Sequence, residues 1–323
     1  MEYVENGIIK KVTGGLYTIK LDAGTSPLSG MQICCRARGS FRYAGMSPLV
    51  GDRVNVRYTE KSFTEEGGEV VPSPEWADIM IAAVGERKNA LIRPPMANLD
   101  LMFVTLASAS PEPSLSVTDK LISIAEFNGI EPVIVVGKCE LSPETAEMIR
   151  EVYEKAGYRV YLLSCREGIG TDKFCAEAKE MMKGRISAFA GASGVGKSTL
   201  MNTLFPGLGL GTGSVSRKTE RGKQTTRTVE LFEADGGYIA DTPGFSMLDF
   251  ERFDFFGKDD LADTFREFRE SLGECKYTKC THQKEDGCAV IARVKSGEIA
   301  PSRHQSYCEL YGILKNKHDW DKK

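Results

Sequence analysis

The spacing of hydrophobic and polar residues changes character several times along the chain. Over residues 4–21 apolar and polar positions alternate in two runs broken at Gly14-Gly15. A period of two interrupted by a glycine pair predicts half-buried strands joined by a turn. Residues 31–41, 52–59 and 69–71 are further short β-prone runs with turn residues between them. About five short strands predict a small β-barrel over residues 1–85, a pattern that OB-type and SH3-like barrels share. Residues 86–97, which contain Pro94-Pro95, read as a linker.

Beyond the linker the apolar runs become continuous. Residues 101–106 and 132–136 predict buried strands, and 158–163 and 186–190 two more. Residues 116–128 and 142–156 carry helical spacing, the second with Ser142 as N-cap and Pro143 in the first turn. Strands alternating with helices imply a parallel sheet with crossover helices. Residues 228–234 and 238–241 flank Asp235-Gly236-Gly237, a hairpin signal. From about residue 251 the chain becomes charged, helical and cysteine-bearing.

Composition narrows the classes. A chain of 323 residues suits two or three domains. With 41% hydrophobic and 27% charged residues it is globular, not disordered or fibrous. A net charge of −3 excludes a uniformly basic nucleic-acid binder but leaves local patches open, such as Arg36, Arg38 and Arg42. The longest apolar run, 101–109, is about half a membrane span, and residues 1–11 are charged, with no apolar signal segment. The expectation is a cytoplasmic protein with no membrane partner and reduced cysteines.

The chemistry begins at Gly191-Ala192-Ser193-Gly194-Val195-Gly196-Lys197-Ser198, a G-x4-G-K-[ST] phosphate-binding loop between an apolar strand and a helix that starts near Lys197, with Thr199 a further candidate nucleotide contact. Its glycines let backbone N–H groups wrap a phosphate chain, Lys197 reaches the β and γ phosphates, and Ser198 offers a hydroxyl to Mg²⁺. The helix N-terminus adds its dipole. Asp241-Thr242-Pro243-Gly244 follows 44 residues after Lys197 at a strand end. An acid there can hold the Mg²⁺ shell, and the Gly244 N–H can meet the γ-phosphate. Between the two, Gln224-Thr225-Thr226-Arg227 lies in a basic stretch from Arg217, where a threonine can complete the Mg²⁺ shell as a switch.

This pairing points to a GTPase, which also needs a base-reading motif. None follows Asp241. A candidate lies upstream: Gly137-Lys138-Cys139-Glu140, straight after a buried strand, with Ser164-Cys165 after the next. Base-reading loops first, then phosphate loop, then switches is the order of a circularly permuted GTPase. Permutation preserves the site because its loops meet at one edge of the sheet. A separate cluster, Cys275-x4-Cys280-x-His282-x5-Cys288, offers three thiolates and one imidazole to a tetrahedral Zn²⁺, one per chain, with no open position. That is a structural site.

With these motifs the chain resembles the bacterial ribosome small-subunit-dependent GTPases over nearly its whole length. The likeness includes residues 191–198, Asp241-Thr242-Pro243-Gly244-Phe245 and Asn98-x-Asp100. The resemblance implies an N-terminal OB domain (residues 1–85), a permuted α/β G domain (97–250) and a C-terminal helical zinc domain (251–323). It also implies GTP hydrolysis to GDP and phosphate, stimulated by the small (30S) subunit and coupled to its late maturation, with rRNA contacts. The expected state is a monomer. Two departures stand out. The family usually has Asn-Lys-x-Asp where this chain has Gly137-Lys138-Cys139-Glu140, and a histidine where it has Gln224. Glu140 is expected to read guanine still, since a carboxylate accepts from the ring N–H and exocyclic amine. Phe245 cannot orient water, so unaided hydrolysis should be slow. Two rival readings are an adenine-nucleotide P-loop ATPase and an RNA-binding module with little turnover.

Overall fold

The computed structural model describes residues 2–39, 41, 47–66, 69–72, 78–206, 229–241 and 256–316. Arg42, Gln224, Thr225, Thr226, Gly244, Phe245 and the basic stretch 217–227 lie outside them.

The N-terminal strands are β1 (Glu2–Thr13), β2 (Leu16–Leu21), β3 (Gln32–Ala37), β4 (Arg53–Thr59), a small hairpin of β5 (Phe63–Glu66) and β6 (Glu69–Pro72), and β7 (Met80–Val84). Gly14 and Gly15 turn β1 into β2 with φ of 58° and 79°, values that favour glycine. The order β1-β2-β3-β7-β4 closes where β4 pairs back on β1, and β3–β7 is parallel. This is a closed five-stranded barrel of OB type. Inward residues Ile9, Ile19, Ile33, Val56, Tyr58 and Ile81 fill it. The run at 69–71, expected as a barrel strand, instead forms one arm of the β5–β6 hairpin. The closing strand is β7, whose sequence Met-Ile-Ala-Ala-Val shows no alternation of polar and apolar residues.

The segment read as a linker is a packed joint. β8 (Ala90–Leu91) and β9 (Met96–Ala97) form a tiny hairpin with Leu91, Met96 and Ala97 buried. Met96 bridges Val50 of the barrel. The Asn98 side chain accepts from the Lys88 N–H (2.8 Å) and donates to the Gly51 carbonyl (3.0 Å).

Next come β10 (Leu101–Ala107), α1 (Leu115–Phe127), β11 (Glu131–Gly137), α2 (Pro143–Lys155), β12 (Arg159–Leu162), α3 (Thr171–Met182), β13 (Ile186–Ala190), α4 (Lys197–Leu204), β14 (Glu230–Ala234) and β15 (Gly237–Asp241). Their order is β12-β11-β10-β13-β15-β14. The first five strands run parallel; β14 is antiparallel to β15 across Asp235-Gly236. Helices cover both faces, as a sheet buried on both sides requires. Leu121 and Ile149 of α1 and α2 pack on one side, Phe174 and Leu200 of α3 and α4 on the other. The edge strand β14 also pairs with β1, supported by Lys10–Glu233 (3.1 Å) and Lys11–Glu230 (2.5 Å) ion pairs, so barrel and parallel sheet are continuous.

The C-terminal part is turn-rich. Two 3₁₀ segments (Leu261–Thr264 and Arg266–Ser271) precede α5 (Ala289–Lys295) and α6 (Pro301–Lys315). Phe265, Phe268, Tyr307 and Leu310 join the same core as α1. No described helix is long and apolar enough to cross a membrane.

Candidate nucleotide and metal sites

The phosphate loop connects β13 to α4, and its geometry explains its glycines. Gly191, Gly194 and Gly196 have φ of 144°, 80° and 102°, where a side chain is strained. At Gly191 a Cβ would sit 2.0 Å from the Thr105 carbonyl oxygen. Lys197 lies in the first turn of α4 and donates from Nζ to the carbonyls of Gly191 and Ala192, both at 2.7 Å. Burial holds its pKa down at about 8, below the ordinary lysine value. The ammonium is curled into the loop, at a cost that an incoming anion would offset. Val195 is buried, Ser198 is half-buried, and Ser193 and Thr199 are exposed.

The upstream loops arrive beside it. Gly137 ends β11, and Lys138, with φ of 55°, turns the chain. Lys138 Nζ donates to the Gly194 carbonyl (2.9 Å) and to the Ser110 carbonyl, tying the loop after β11 to the phosphate loop and to the loop after β10. Ser108 anchors the same turn: its N–H donates to the Gly137 carbonyl (3.0 Å) and its Oγ to the Lys138 carbonyl (2.7 Å). Cys139 N–H donates to the Leu163 carbonyl (3.1 Å), which joins the β12 loop. A cavity of about 290 Å³ opens between these loops, lined by Gly137, Lys138, Glu140, Cys165, Gly196 and Thr199, with Val135 and Leu163 as apolar wall. Glu140 Oε2 is buried and has no hydrogen-bond partner among the described residues. A carboxylate oxygen left so is costly unless a ligand meets it.

Ser164 plays a different part from Cys165. It is buried, its Oγ accepts from the Glu167 N–H (3.0 Å), and its backbone pairs with Ile169, so it shapes the loop. Burial raises the Cys139 and Cys165 thiols above their ordinary pKa, keeping both neutral. Asp241 ends β15, beside β13 in the sheet. The sequence motifs alone left out Ser108 and Ser110, which hold the Lys138 turn, and Arg166, which also lines the cavity. A usable signal was their place just past strand ends in a parallel sheet, where open α/β folds bind ligands.

The cysteine cluster also assembles. The ligand atoms of Cys275, Cys280, His282 and Cys288 all lie within 4.8 Å of one another, a group that can hold a metal ion. His282 Nδ1 is 3.5 Å from both Cys275 Sγ and Cys288 Sγ, and these sulfurs are 3.9 Å apart. The Ala289 N–H points at Cys275 Sγ (3.3 Å). Glu285 closes the turn that carries His282, accepting from the N–H groups of Thr281 and Gln283, both at 2.9 Å. Helix α6 braces it: Tyr307 Oη donates to the Thr281 carbonyl (2.9 Å), and His304 Nε2 contacts the His282 carbonyl (2.6 Å).

A phosphate loop, base-side loops that precede it in the chain, and a sheet of this order define a circularly permuted P-loop GTPase domain behind an OB-type barrel. Comparison with known proteins agrees. A family model described as RsgA GTPase matches residues 84–251, and one described as RsgA N-terminal domain matches residues 6–64. The chain belongs to the RsgA GTPase family. It is 37% identical over 312 residues to the small ribosomal subunit biogenesis GTPase RsgA of Clostridium perfringens (strain 13 / Type A), covering 96% of this chain and 98% of that one. The protein of that name from Clostridium beijerinckii is 38% identical over 318 residues, covering 98% of this chain and 100% of the other. Among solved structures, YjeQ from Thermotoga maritima superposes with a TM-score of 0.75 at 32% identity, covering 98% of this chain and all of the other. YloQ, described as a circularly permuted GTPase, gives 0.72 at 31%, covering 98% and 96%.

Proposed function

We propose that this GTPase acts on the small ribosomal subunit in its late maturation, in the cytoplasm, with GTP hydrolysis accelerated by the subunit and its rRNA. The relatives carry small ribosomal subunit biogenesis in their names. The observation that carries the nucleotide assignment is one cavity lined by both the phosphate loop and the loop of Lys138 and Glu140, with a buried Glu140 oxygen unpartnered among the described residues. In this reading Gly191 to Thr199 wrap the phosphates, Lys197 neutralises them, and Ser198 and Asp241 hold Mg²⁺ together with Thr225 or Thr226. Gly244 meets the γ-phosphate and Gln224 stands near the attacking water. Glu140 accepts from the guanine ring N–H and exocyclic amine, while Gly137, Lys138 and Cys165 frame the base and Cys139 and Ser164 hold the loops that present it. Adenine presents an acceptor at that edge and would repel the carboxylate.

The metal at Cys275, Cys280, His282 and Cys288 is zinc in this reading. A tetrahedral zinc with bonds of about 2.3 Å to sulfur and about 2.0 Å to nitrogen has S–S edges near 3.8 Å and S–N edges near 3.5 Å. The separations of 3.9 and 3.5 Å support that fit. Four protein ligands give it a structural role. We place domain boundaries at residues 1–85, 97–250 and 251–323, with the protein working as a monomer.

Phosphate release measured with GTP and with ATP, with and without 30S subunits at low salt, tests the reading. Slow turnover of GTP alone, strong acceleration by subunits and little turnover of ATP are expected, and Lys197→Ala should abolish both rates. A GTP rate unchanged by subunits sinks the ribosomal role; equal use of ATP sinks the base assignment.

A further inference from the structure

Within the apolar core that the C-terminal metal-binding unit shares with α1 lies a buried ion-pair cluster. Arg303 on α6 and Asp119 on α1 are essentially unexposed, with relative accessibilities of 1% and 0%. Arg303 donates to Asp119 Oδ1 (2.5 Å) and, from Nε and Nη2, to both oxygens of Glu267 (2.7 and 3.2 Å). Its guanidinium lies 4.5 Å from the centre of the Phe265 ring. The same Asp119 oxygen accepts from Tyr153 Oη of α2 (2.9 Å). Outer contacts repeat along one face of α1: Ser116 Oγ donates to Glu309 (2.8 Å), and Glu126 accepts from Arg266 (2.5 Å) and Arg269 (2.8 Å).

The two helices joined at Asp119 flank the loop that carries Glu140. Helix α2 starts at Pro143, three residues past Glu140. Helix α1 is entered from the segment 108–114, where Ser108 and Ser110 hold Lys138 from the other side. The lead-in is itself fixed to the helix: Ser114 caps α1 by accepting from the Val117 N–H (3.4 Å), and its carbonyl accepts from Thr118 Oγ1 (3.1 Å). Hydrogen bonds therefore lead from the metal-site turn through α6 to Asp119 and Tyr153, and the helices α1 and α2 carry on from there to both sides of the loop.

Resting on the reading of Glu140 as the base reader, we propose that Arg303, through Asp119 and Tyr153, is a positioning residue for the guanine-reading loop, so that the C-terminal metal-binding unit sets base selectivity as well as its own fold. Buried ion pairs are poor value as stability devices, because desolvation consumes most of the attraction. What a planar guanidinium shared between two carboxylates provides is direction: it fixes how α6, the 3₁₀ segment and α1 sit together. A loop whose two flanking helices are locked presents its carboxylate in one place, and a bidentate match to guanine requires that.

The experiment is displacement of a fluorescent nucleotide by GDP and by ADP on the intact chain. Tyr153→Phe deletes one hydroxyl bond and keeps the ring. Arg303→Lys keeps the charge and loses the fork. Each should weaken GDP about fivefold, the value of one typical hydrogen bond, and leave ADP no weaker, since the carboxylate gives adenine no bond to lose. Partial unfolding would lower the binding-competent fraction for both nucleotides alike. Glu140→Gln, measured alongside, should remove the preference for GDP. If it does and both positioning variants keep wild-type selectivity, the positioning inference is overturned while the base reading stands. If the variants shift GDP and ADP equally, Arg303 is structural only and the inference is again overturned. If Glu140→Gln keeps the preference, the base reading falls and takes this inference with it.

Discussion

Lys197 gives a quantitative prediction. Its pKa of about 8 in the free protein reflects burial in the phosphate loop, where the carbonyls of Gly191 and Ala192 are its acceptors among the described residues. Phosphate oxygens against the same ammonium would favour the charged form and raise the pKa well above that value. Well below pH 8 the free lysine is mostly protonated and binding takes up little. Above pH 8 the free lysine is mostly neutral, so binding takes up a growing fraction of a proton, and affinity falls as pH rises. With the folded value of about 8, roughly three-quarters of a proton should be taken up at pH 8.5 and about a tenth at pH 7. Affinity at pH 8.5 should be about fourfold weaker than at pH 7. Calorimetry of GDP binding in two buffers of different ionisation enthalpy measures the uptake directly. Lys197→Arg serves as the control, because a guanidinium stays charged throughout. Uptake that stays near zero in the wild type at pH 8.5, or that survives unchanged in Lys197→Arg, refutes the assignment of the titrating group.

Two further outcomes concern the joints of the molecule. Met96 is fully buried between barrel and G domain, so Met96→Ala should cost about 2–5 kcal/mol in urea unfolding, as large-to-small core changes do; a loss under about 1 kcal/mol would mean the joint is not a packed interface. Cys280→Ser should reduce the metal content from about one ion per chain to near none, and lower the thermal midpoint, because metal binding is folding energy in so small a site; elemental analysis finding full occupancy in the variant would remove Cys280 from the ligand set.

The sequence spoke most clearly where a local pattern carries its own physics. Gly191 to Ser198 announce a phosphate loop because φ values of 144°, 80° and 102° need glycine at three fixed places. The apolar run in β10 needs no partner to be read as buried. The turn at Asp235-Gly236 follows from two positive φ angles, 47° and 78°. The strands β8 and β9 are two residues each, too short to show any period, and so the joint passed for a linker. Helix α3 went unread although Phe174, Ala178 and Met182 mark its buried face at intervals of four.

What the chain by itself determined is therefore the set of local parts: a G-x4-G-K-S loop, the Gly137 to Glu140 turn ahead of it, a three-cysteine, one-histidine group that can hold a metal ion, and most of the strands and helices that carry them. Each is encoded within a few residues, by backbone constraints or by ligand spacing. What only tertiary structure decided is which parts meet. Closure of the barrel needed β7 to lie parallel to β3. The Glu140 oxygen became unpartnered only when three loops folded around one cavity. Arg303 and Asp119 are 184 residues apart in sequence, and either alone reads as an ordinary solvated charge. Their burial is set by how α6 and α1 pack, and that depends on the summed apolar surface of the whole core, which no local pattern contains.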